Sequence, residues 1–216
     1  PAVGNNMRPA VSSQVFDSHG RLITTLHSDQ NRLPIDINKV PQNLQNAFIA
    51  AEDNRFYEHI GIDPIGIFRA IFANLTNRGI AQGGSTITQQ LAKNELFTQD
   101  KHLARKAAEM LAAFDIEKTY SKQQIFEMYA NTIYFGSGYY GIAEAAEGYF
   151  GKEPAQLTDA EAIYLAGMPN APSTYASSPE LAFKRMQVVL KRMVKCRVLT
   201  QQQADAIAAD AENLTV

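Results

Sequence analysis

Two adjacent carboxylates, Glu52 and Asp53, are the first residues in this sequence that could do chemistry; they stand in AAEDNRFYEHIGID, shortly before His59. Alanines precede the pair and Phe56 follows it, so a carboxylate here would lie at the rim of an apolar helix end. Partial burial raises the proton affinity of a carboxylate and suits it to general acid–base catalysis. Alternatively, both acids are solvated helix-end charges and His59 packs locally. The segment alone leaves both interpretations open.

The second candidate site is a glycine-rich turn that leads into a polar helix, in GGSTITQQLAKN at residues 83–94. Gly84 lets the backbone approach a ligand closely, and the amides of a helix N-terminus, capped by Ser85 or Thr86, favour an anion. The spacing is not that of a nucleotide P-loop. An exposed polar helix face is the alternative. Four polar residues share that face: Gln89, Gln90, Lys93 and Asn94.

The third candidate is a helix, in ARKAAEMLAAFDIEK, that combines cations with acids. Arg105, Lys106 and Glu109 share one face, and Glu117 lies on nearly the same side farther along. Ordinary helix salt bridges are the alternative interpretation. Together with the glycine-rich turn, this helix suits a sugar donor that carries phosphate. In such chemistry a carboxylate deprotonates the attacking hydroxyl and cations stabilise the departing phosphate.

Composition excludes other classes of site. Twenty Lys and Arg against 22 Asp and Glu give a net charge of -2, which offers no basis for a nucleic-acid partner. The four histidines form no HExxH motif and Cys196 is the single cysteine, so no structural zinc site is indicated. The 216 residues, 45% hydrophobic, suit one globular domain. No apolar run of about 18 residues occurs, and we expect a soluble, excised domain.

Helices must position these residues, because the apolar spacing is helical from residue 41 onward. The first predicted helix carries Glu52 near its end and stops near Gly61. Upstream, SQVFDSHGRLITTL predicts a β-hairpin, followed by an extended connector. The glycine-punctuated segment 136–152 is assigned no element, and 169–179 is predicted to be a loop. Predicted helix starts are Pro64 behind Asp63, Ser85 or Thr86, Ser121 and Thr158, with final helices near 180–195 and 200–212.

With these motifs the chain resembles the peptidoglycan glycosyltransferase domain, glycosyltransferase family 51, of bifunctional class A penicillin-binding proteins and monofunctional transglycosylases. The resemblance runs from about residue 40 to about residue 212. Five motifs carry it in family order: EDNRFYEHIG (52–61), GGSTITQQLAKN (83–94), RKAAEMLAAFDIEK (105–118), KQQIFEMYANTIYFGSGYYGI (122–142) and EAIYLAGMPNAPSTY (161–175).

The resemblance implies a mainly α fold, a lysozyme-like two-lobed glycosyltransferase domain with a small N-terminal β-hairpin. A larger lobe and a smaller, membrane-facing lobe would enclose the cleft. We accordingly expect residues 1–39 to be an N-terminal extension with the hairpin and connector, and residues 40–216 to be the peptidoglycan glycosyltransferase domain.

The resemblance also implies a reaction. Glu52 would take the proton from the 4-hydroxyl of the acceptor GlcNAc as it attacks the anomeric carbon of lipid II, the donor. Undecaprenyl pyrophosphate would leave with inversion, giving a β-1,4-linked glycan strand. Glu109 would lie in the donor site and assist by hydrogen bonding or by organising the pyrophosphate. Four residues would support the motifs rather than transfer protons: Asp53, Phe56, His59 and Gly84.

Substrate-binding residues follow from the same resemblance. No obligatory cofactor is evident, and a divalent cation, Mg2+ or Mn2+, beside the pyrophosphates is left open because no ligand cluster specifies one. Moenomycin, which occupies the donor site in this family, is expected to inhibit. The cations expected to hold the pyrophosphates are Lys93, Arg105 and Lys106. The polar groups expected in the cleft are Ser85, Thr86, Gln89, Gln90 and Asn94.

One segment could contact a membrane. It is IDPIGIFRAIFANL, residues 62–75, which is either a core helix or an apolar surface that meets the bilayer. The resemblance predicts a location on the extracytoplasmic face of the bacterial cytoplasmic membrane. It also predicts an upstream transmembrane anchor and a downstream transpeptidase domain in the parent protein. The chain has no SxxK motif, so we expect no covalent penicillin binding by this domain itself.

Two other functions stay open. A glycan-cleaving enzyme of the lysozyme or lytic transglycosylase kind would use one glutamate as a general acid, but its neutral leaving group would not need the cations. A non-catalytic module that binds lipid II or the membrane surface would keep the cations and the apolar helix. It would not need both Glu52 and Glu109.

Overall fold

The computed structural model describes residues 13–16, 22–26, 35–76, 83–95 and 102–216, with side chains for 35–72, 83–94 and 106–216. Within these ranges the fold is mainly α, as predicted. Its ten α-helices are α1 (Gln42–Glu52), α2 (Pro64–Thr76), α3 (Ile87–Glu95), α4 (His102–Thr119), α5 (Lys122–Thr132), α6 (Ile142–Phe150), α7 (Asp159–Gly167), α8 (Pro172–Ser177), α9 (Pro179–Lys195) and α10 (Gln201–Ala211). Short 3-10 helices lie at Ile37–Lys39, Pro154–Gln156 and Met168–Asn170.

Two β-strands, β1 (Ser13–Phe16) and β2 (Leu22–Leu26), pair antiparallel with Ser13 opposite Leu26. The turn that would join them, residues 17–21, lies outside the described residues. The N-terminal hairpin is therefore not established. The boundary between an N-terminal extension and a domain that begins at residue 40 also stays a prediction.

The core is built around α7, in which every residue from Ala160 to Gly167 is buried. A helix that is buried on all sides must be covered all round, and α7 packs against both α1 and α9, which also contact each other. Phe48 of α1 is buried in the same core, which fixes the end of α1 where Glu52 lies. The Phe48 ring meets three others edge to face at centroid distances of 5.8–6.0 Å: Phe126, Tyr129 and Phe135.

Capping chemistry predicted several helix starts correctly. α5 begins after Ser121 and α7 after Thr158, and each start has a capping box with reciprocal side-chain and backbone hydrogen bonds. α3 begins after Thr86, whose hydroxyl accepts from the backbone N–H of Gln89 at 3.1 Å. The Gln89 side chain in turn accepts from the N–H of Thr86 at 2.9 Å. Pro64 is the first residue of α2, as predicted.

Other helix boundaries differ from the predictions. The first helix ends at Glu52 and not near Gly61, because Asp53 leaves the helical conformation (φ -157°, ψ 74°). The glycine-punctuated segment contains α6, and the predicted loop contains α8. Gly and Pro stand there mainly at helix boundaries, which explains the error. The boundary residues are Gly141 before α6, Gly151 after it, and Pro172 at the start of α8.

We expect Gly141→Ala to destabilise the fold by about 2 kcal/mol more than Gly138→Ala. Both glycines have φ +84°, so left-handed backbone strain is common to both variants. A Cβ at Gly141 would lie 2.5 Å from the backbone oxygen of Asn131 in α5, whereas a Cβ at Gly138 would meet no atom within 4 Å. Urea denaturation followed by circular dichroism measures the difference. Equal destabilisation would contradict a fixed packing between α5 and residue 141.

The apolar face of α2 is turned outward. Exposed apolar side chains gathered on one helix are typical of a surface that meets a membrane or a partner. The core-helix interpretation is therefore wrong for this face. No helix in the described ranges is long and apolar enough to cross a bilayer. Four α2 side chains are 52–73% exposed, Ile65, Phe68, Ile71 and Phe72, and two in the preceding turn are 64% and 71% exposed, Tyr57 and Ile60.

Candidate active site

A cleft of about 370 Å³ is lined by the end of α1, the start of α2, the turn before α3, and α9. We call it the Glu52 cleft. The end of α1 supplies Glu52 and Asp53 to its lining. Two of the three candidate clusters from the sequence therefore meet in one site. The glycine-rich turn and α3 supply Gly84, Ser85, Thr86, Gln90 and Lys93.

Both carboxylate oxygens of Glu52 are held. Its Oε1 lies 3.3 Å from a guanidinium nitrogen of Arg185 on α9, and its Oε2 accepts a 3.2 Å hydrogen bond from the side-chain amide of Gln90 on α3. The side chains of Glu52 and Arg185 are 9% and 7% exposed. The hydroxyl of Tyr129 donates to the Gln90 side chain at 3.4 Å. A chain of hydrogen bonds therefore connects the carboxylate to α5.

Burial raises the pKa of Glu52 above its ordinary value, while Arg185, the hydrogen bond from Gln90 and the charge of Arg192 oppose the rise. Burial and the neighbouring carboxylates raise the pKa of Tyr129 well above its ordinary value, so its hydroxyl stays protonated and can donate. A carboxylate of raised pKa that lines a cleft is suited to take a proton from a substrate hydroxyl. This geometry favours Glu52 as a base.

Asp53 has a different environment from its neighbour. Its Oδ2 accepts from Nε2 of His59 at 2.7 Å and from the backbone N–H of Ile87, the first residue of α3, at 3.0 Å. Nδ1 of His59 accepts from the N–H of Gly61 at 3.1 Å, which assigns the imidazole proton to Nε2. The Asp53 charge lies at a helix N-terminus, where an anion is stabilised. Asp53 and His59 thus tie the turn after α1 to α3.

A second ion pair lies behind this turn. Lys122 at the start of α5 donates to Oε1 of Glu117 at 2.8 Å and to the backbone oxygen of His59 at 2.7 Å. Its ammonium group lies 4.6 Å from the ring centre of the buried Phe56. Thr88 of α3 donates to the same oxygen of Glu117 at 2.7 Å. Glu117, part of the third candidate cluster, therefore joins α3, α4, α5 and the turn.

We expect Lys122→Met to lower the free energy of unfolding by about 2–3 kcal/mol, because it removes the cation from Glu117 and a donor from His59. The matched control is Lys184→Met, since Lys184 pairs with Glu180 on the exposed surface. Such pairs contribute little, and we expect no measurable change. Urea denaturation of the three proteins provides the comparison. A stability loss of the same size in both variants would contradict a special role for Lys122.

The Glu52 cleft is rich in cations that the sequence analysis did not select: Arg185, Arg192 and Lys195 from α9 and Arg69 from α2. Arg192 donates to the backbone oxygen of Ala51, the penultimate residue of α1. α9 therefore holds the end of α1 through the backbone as well as through the carboxylate. Positions 185, 192 and 195 fall on one helical face, and this spacing was the signal that could have identified them.

Glu109 and Lys106 are paired but do not belong to the described lining of the Glu52 cleft. The buried carboxylate of Glu109 accepts from Lys106 at 2.5 Å, and Lys106 also donates to the hydroxyl of Ser85 at 3.0 Å. Ser85 lines the cleft and so connects this pair to its edge. The resemblance assigns Glu109 to the donor site, and this stays a prediction; the structure has Glu52 in the cleft lining and connects Glu109 to the cleft edge through Lys106 and Ser85.

Three further predicted residues are placed differently or not described. The Gln89 side chain is buried in the cap of α3, and Asn94, like Gln89, is not among the described lining residues. The side chain of Arg105 lies outside the described residues. Gly84 approaches α2 closely, since a Cβ there would lie 3.3 Å from the Cα of Ile67. Its lack of a side chain therefore serves packing as well as access to the cleft.

The arrangement can serve group transfer. A buried carboxylate beside several cations can take a proton while the cations stabilise an anionic leaving group. Among the residues that the structure describes, no group of three or more His, Cys, Asp and Glu side chains could hold a metal ion. The mainly α fold and this cleft therefore define a class of protein: an enzyme domain suited to an anionic substrate.

Comparison with known protein families identifies the family to which this enzyme domain belongs. Residues 19–194 match the family described as Transglycosylase. The chain belongs to this family and is a peptidoglycan glycosyltransferase domain of the kind present in class A penicillin-binding proteins. The resemblance stated from the five motifs is confirmed.

Similar proteins support the same family membership. Penicillin-binding protein 1A of Aquifex aeolicus (strain VF5) is 45% identical over 205 residues, 94% of this chain and 28% of that protein. Penicillin-binding protein 1A of Escherichia coli (strain K12) is 42% identical over 210 residues, 96% of this chain and 25% of that protein. A crystal structure of Penicillin-binding protein 1A from Haemophilus influenzae matches with a TM-score of 0.54 and 25% identity, covering 96% of this chain and 21% of that one. The chain spans about a quarter of the length of these relatives.

Proposed function

We propose that this domain polymerises lipid II, an undecaprenyl-pyrophosphate-linked disaccharide pentapeptide, into β-1,4-linked glycan strands, with Glu52 as the general base. Membership of the transglycosylase family supports the reaction class. One observation carries the assignment of the base: Glu52 is a carboxylate of raised pKa that lines a cation-rich cleft.

In the proposed step, Glu52 accepts the proton of the 4-hydroxyl on the acceptor GlcNAc. That oxygen forms a bond to the anomeric carbon of the donor, on the face opposite the leaving group. The bond between the anomeric carbon and the phosphate oxygen breaks, and its electron pair leaves with undecaprenyl pyrophosphate. The anomeric configuration is inverted, and Glu52 returns its proton to solvent.

The cations of the Glu52 cleft would bind the pyrophosphates, whose charge increases as the bond breaks. Lys93, which lines the cleft, would be one of these cations. Lys106 would act from the edge, oriented by Glu109 and joined to Ser85. Glu109 then assists by organising the pyrophosphate end rather than by accepting the proton. Moenomycin would inhibit by competing for the donor site, and a divalent cation, Mg2+ or Mn2+, would act on the substrate phosphates.

The membrane is the proposed partner of the exposed α2 face, because the lipid chain of the substrate is anchored in the membrane. In this proposal α2 belongs to the smaller lobe of a lysozyme-like, two-lobed domain. The domain would work on the extracytoplasmic face of the bacterial cytoplasmic membrane. The parent protein would carry a transmembrane anchor and a transpeptidase domain, in keeping with the much greater length of the relatives.

The test is incubation of this domain with fluorescently labelled lipid II in detergent, followed by separation of products on a gel. We expect a ladder of glycan strands that moenomycin abolishes. Bound but unreacted lipid II would instead favour a binding module. Shortening of preformed strands without polymerisation would favour a glycan-cleaving enzyme, and either outcome would overturn the proposal.

A further inference from the structure

The contact between Arg185 and Glu52 is a single, long one. One guanidinium nitrogen lies 3.3 Å from Oε1 of Glu52, beyond the roughly 2.7–2.9 Å of a strong charged hydrogen bond. The Nε of Arg185 is buried and has no hydrogen-bond partner among the described residues. A guanidinium has five N–H donors in a fixed fork. Arg185 therefore has unused donors in the wall of a cleft that Glu52 also lines.

Among the described residues, no other cation contacts the Glu52 carboxylate directly. Arg192 acts on Glu52 through its charge but gives a hydrogen bond to the backbone of Ala51. Asp53, the adjacent acid, is engaged by His59 and the start of α3. The groups that face Glu52 are Arg185 and Arg192 from α9, Gln90 from α3 and, through Gln90, Tyr129 from α5.

We propose that Arg185 is a positioning residue that couples anion binding to the base: it holds Glu52, and a diphosphate bound in the Glu52 cleft takes over part of the same guanidinium. This inference rests on the proposed function and adds to it a regulation of the base by the substrate. Although Nε itself is buried, Arg185 lines the cleft, and its guanidinium has no described hydrogen bond besides the one to Glu52, so a diphosphate oxygen can bind a terminal N–H of the same group. The length of the existing contact allows it to be exchanged.

The coupling has a definite sign. The positive charge of Arg185 lowers the pKa of Glu52 against the effect of burial. When a diphosphate shares that charge, the opposing influence weakens and Glu52 binds a proton more readily. The base would therefore become stronger when the anionic group of a donor is in place. A glutamate held by Arg185 alone would be a weaker base, which limits proton uptake in the absence of donor.

The test follows titration of the Glu52 side-chain carboxyl by carbon-13 NMR, with the resonance assigned by its loss in Glu52→Gln. Inorganic pyrophosphate is the probe, at saturation established by calorimetry for each protein. In the unsubstituted domain we expect pyrophosphate to shift the titration midpoint of Glu52 to higher pH. Arg185→Gln should raise the midpoint by itself, and pyrophosphate should then add little. Arg185→Lys, which keeps the charge, should restore part of the response.

Lys195→Gln is the matched control, since Lys195 lines the cleft but makes no described contact with Glu52; its pyrophosphate response should persist. If pyrophosphate shifts the midpoint equally in the parent and in Arg185→Gln, direct repulsion explains the effect and the proposal fails. Failure to bind pyrophosphate in the cleft would overturn it as well. The NMR titration does not depend on catalytic turnover. If the unsubstituted domain shows the coupling but makes no glycan, that result contradicts only the proposed function.

Discussion

Glu52→Gln is expected to lower the rate of glycan polymerisation by about two to four orders of magnitude, the usual contribution of a general base. Gln cannot take the proton of the acceptor hydroxyl, but it has nearly the shape of Glu. The Gln90 amide can reverse to pair with it, because the Tyr129 hydroxyl that contacts Gln90 can donate or accept. The measurement is initial-rate polymerisation of labelled lipid II, with binding measured separately.

Stability provides the control for this variant. Burial raises the folded-state pKa of Glu52 above its unfolded value, so its stabilising contribution is present below the unfolded pKa and is lost as pH rises through the folded pKa. Glu52→Gln should therefore be at least as stable as the parent at pH 7, with the difference disappearing in acid. Full polymerisation by a folded Glu52→Gln protein would refute the base assignment.

Asp53→Ala is expected to lower the free energy of unfolding by about 4 kcal/mol, the largest stability effect that we predict. The substitution leaves two buried donors unpaired, Nε2 of His59 and the backbone N–H of Ile87, and each unpaired buried donor costs about 1–3 kcal/mol. The start of α3 would also lose its anion. Urea denaturation measures the change, and polymerisation should fall with it because the turn beside Glu52 loosens.

Asp53→Asn separates hydrogen bonding from charge. Both donors reach the same oxygen, Oδ2, so an Asn with its oxygen at that position keeps both hydrogen bonds. We expect it to retain most of the stability that Asp53→Ala loses. Equal losses in the two variants would show that the negative charge, and not hydrogen bonding, stabilises the turn.

Local rules in the sequence were enough to predict the starts of α2, α3, α5 and α7. A Ser or Thr cap and an N-terminal Pro act within one turn of helix, and such chemistry is visible in a short window. The acidic pair and the glycine-rich turn were recognised for the same reason. Both acids line the cleft, but their contacts differ: the Glu52 carboxylate is held by side chains of α9 and α3, whereas Asp53 binds His59 and the backbone at the start of α3.

Long-range pairing could not be predicted in this way. Arg185 on α9 was not selected from the sequence, and only the packing of α9 against α1 makes it the partner of Glu52. Spacing alone did not distinguish Glu109 from Glu117 on α4, and only the family resemblance assigned Glu109 to the donor site. The structure pairs Glu109 with Lys106 and Glu117 with Lys122. The end of α1 at Glu52 also depends on a distant partner, because Asp53 turns to reach Ile87 on α3.

The hold of α9 on the end of α1 has a consequence for the order of events during synthesis. Arg185 and Arg192 follow the residues that they contact, Glu52 and Ala51, by 133 and 141 positions. A ribosome adds roughly 5–20 residues per second, so the nascent Glu52 waits on the order of ten seconds for its cation. Until α9 has emerged, the acid of this site is not neutralised by its partner, and the active site is completed only when almost the whole domain has been translated.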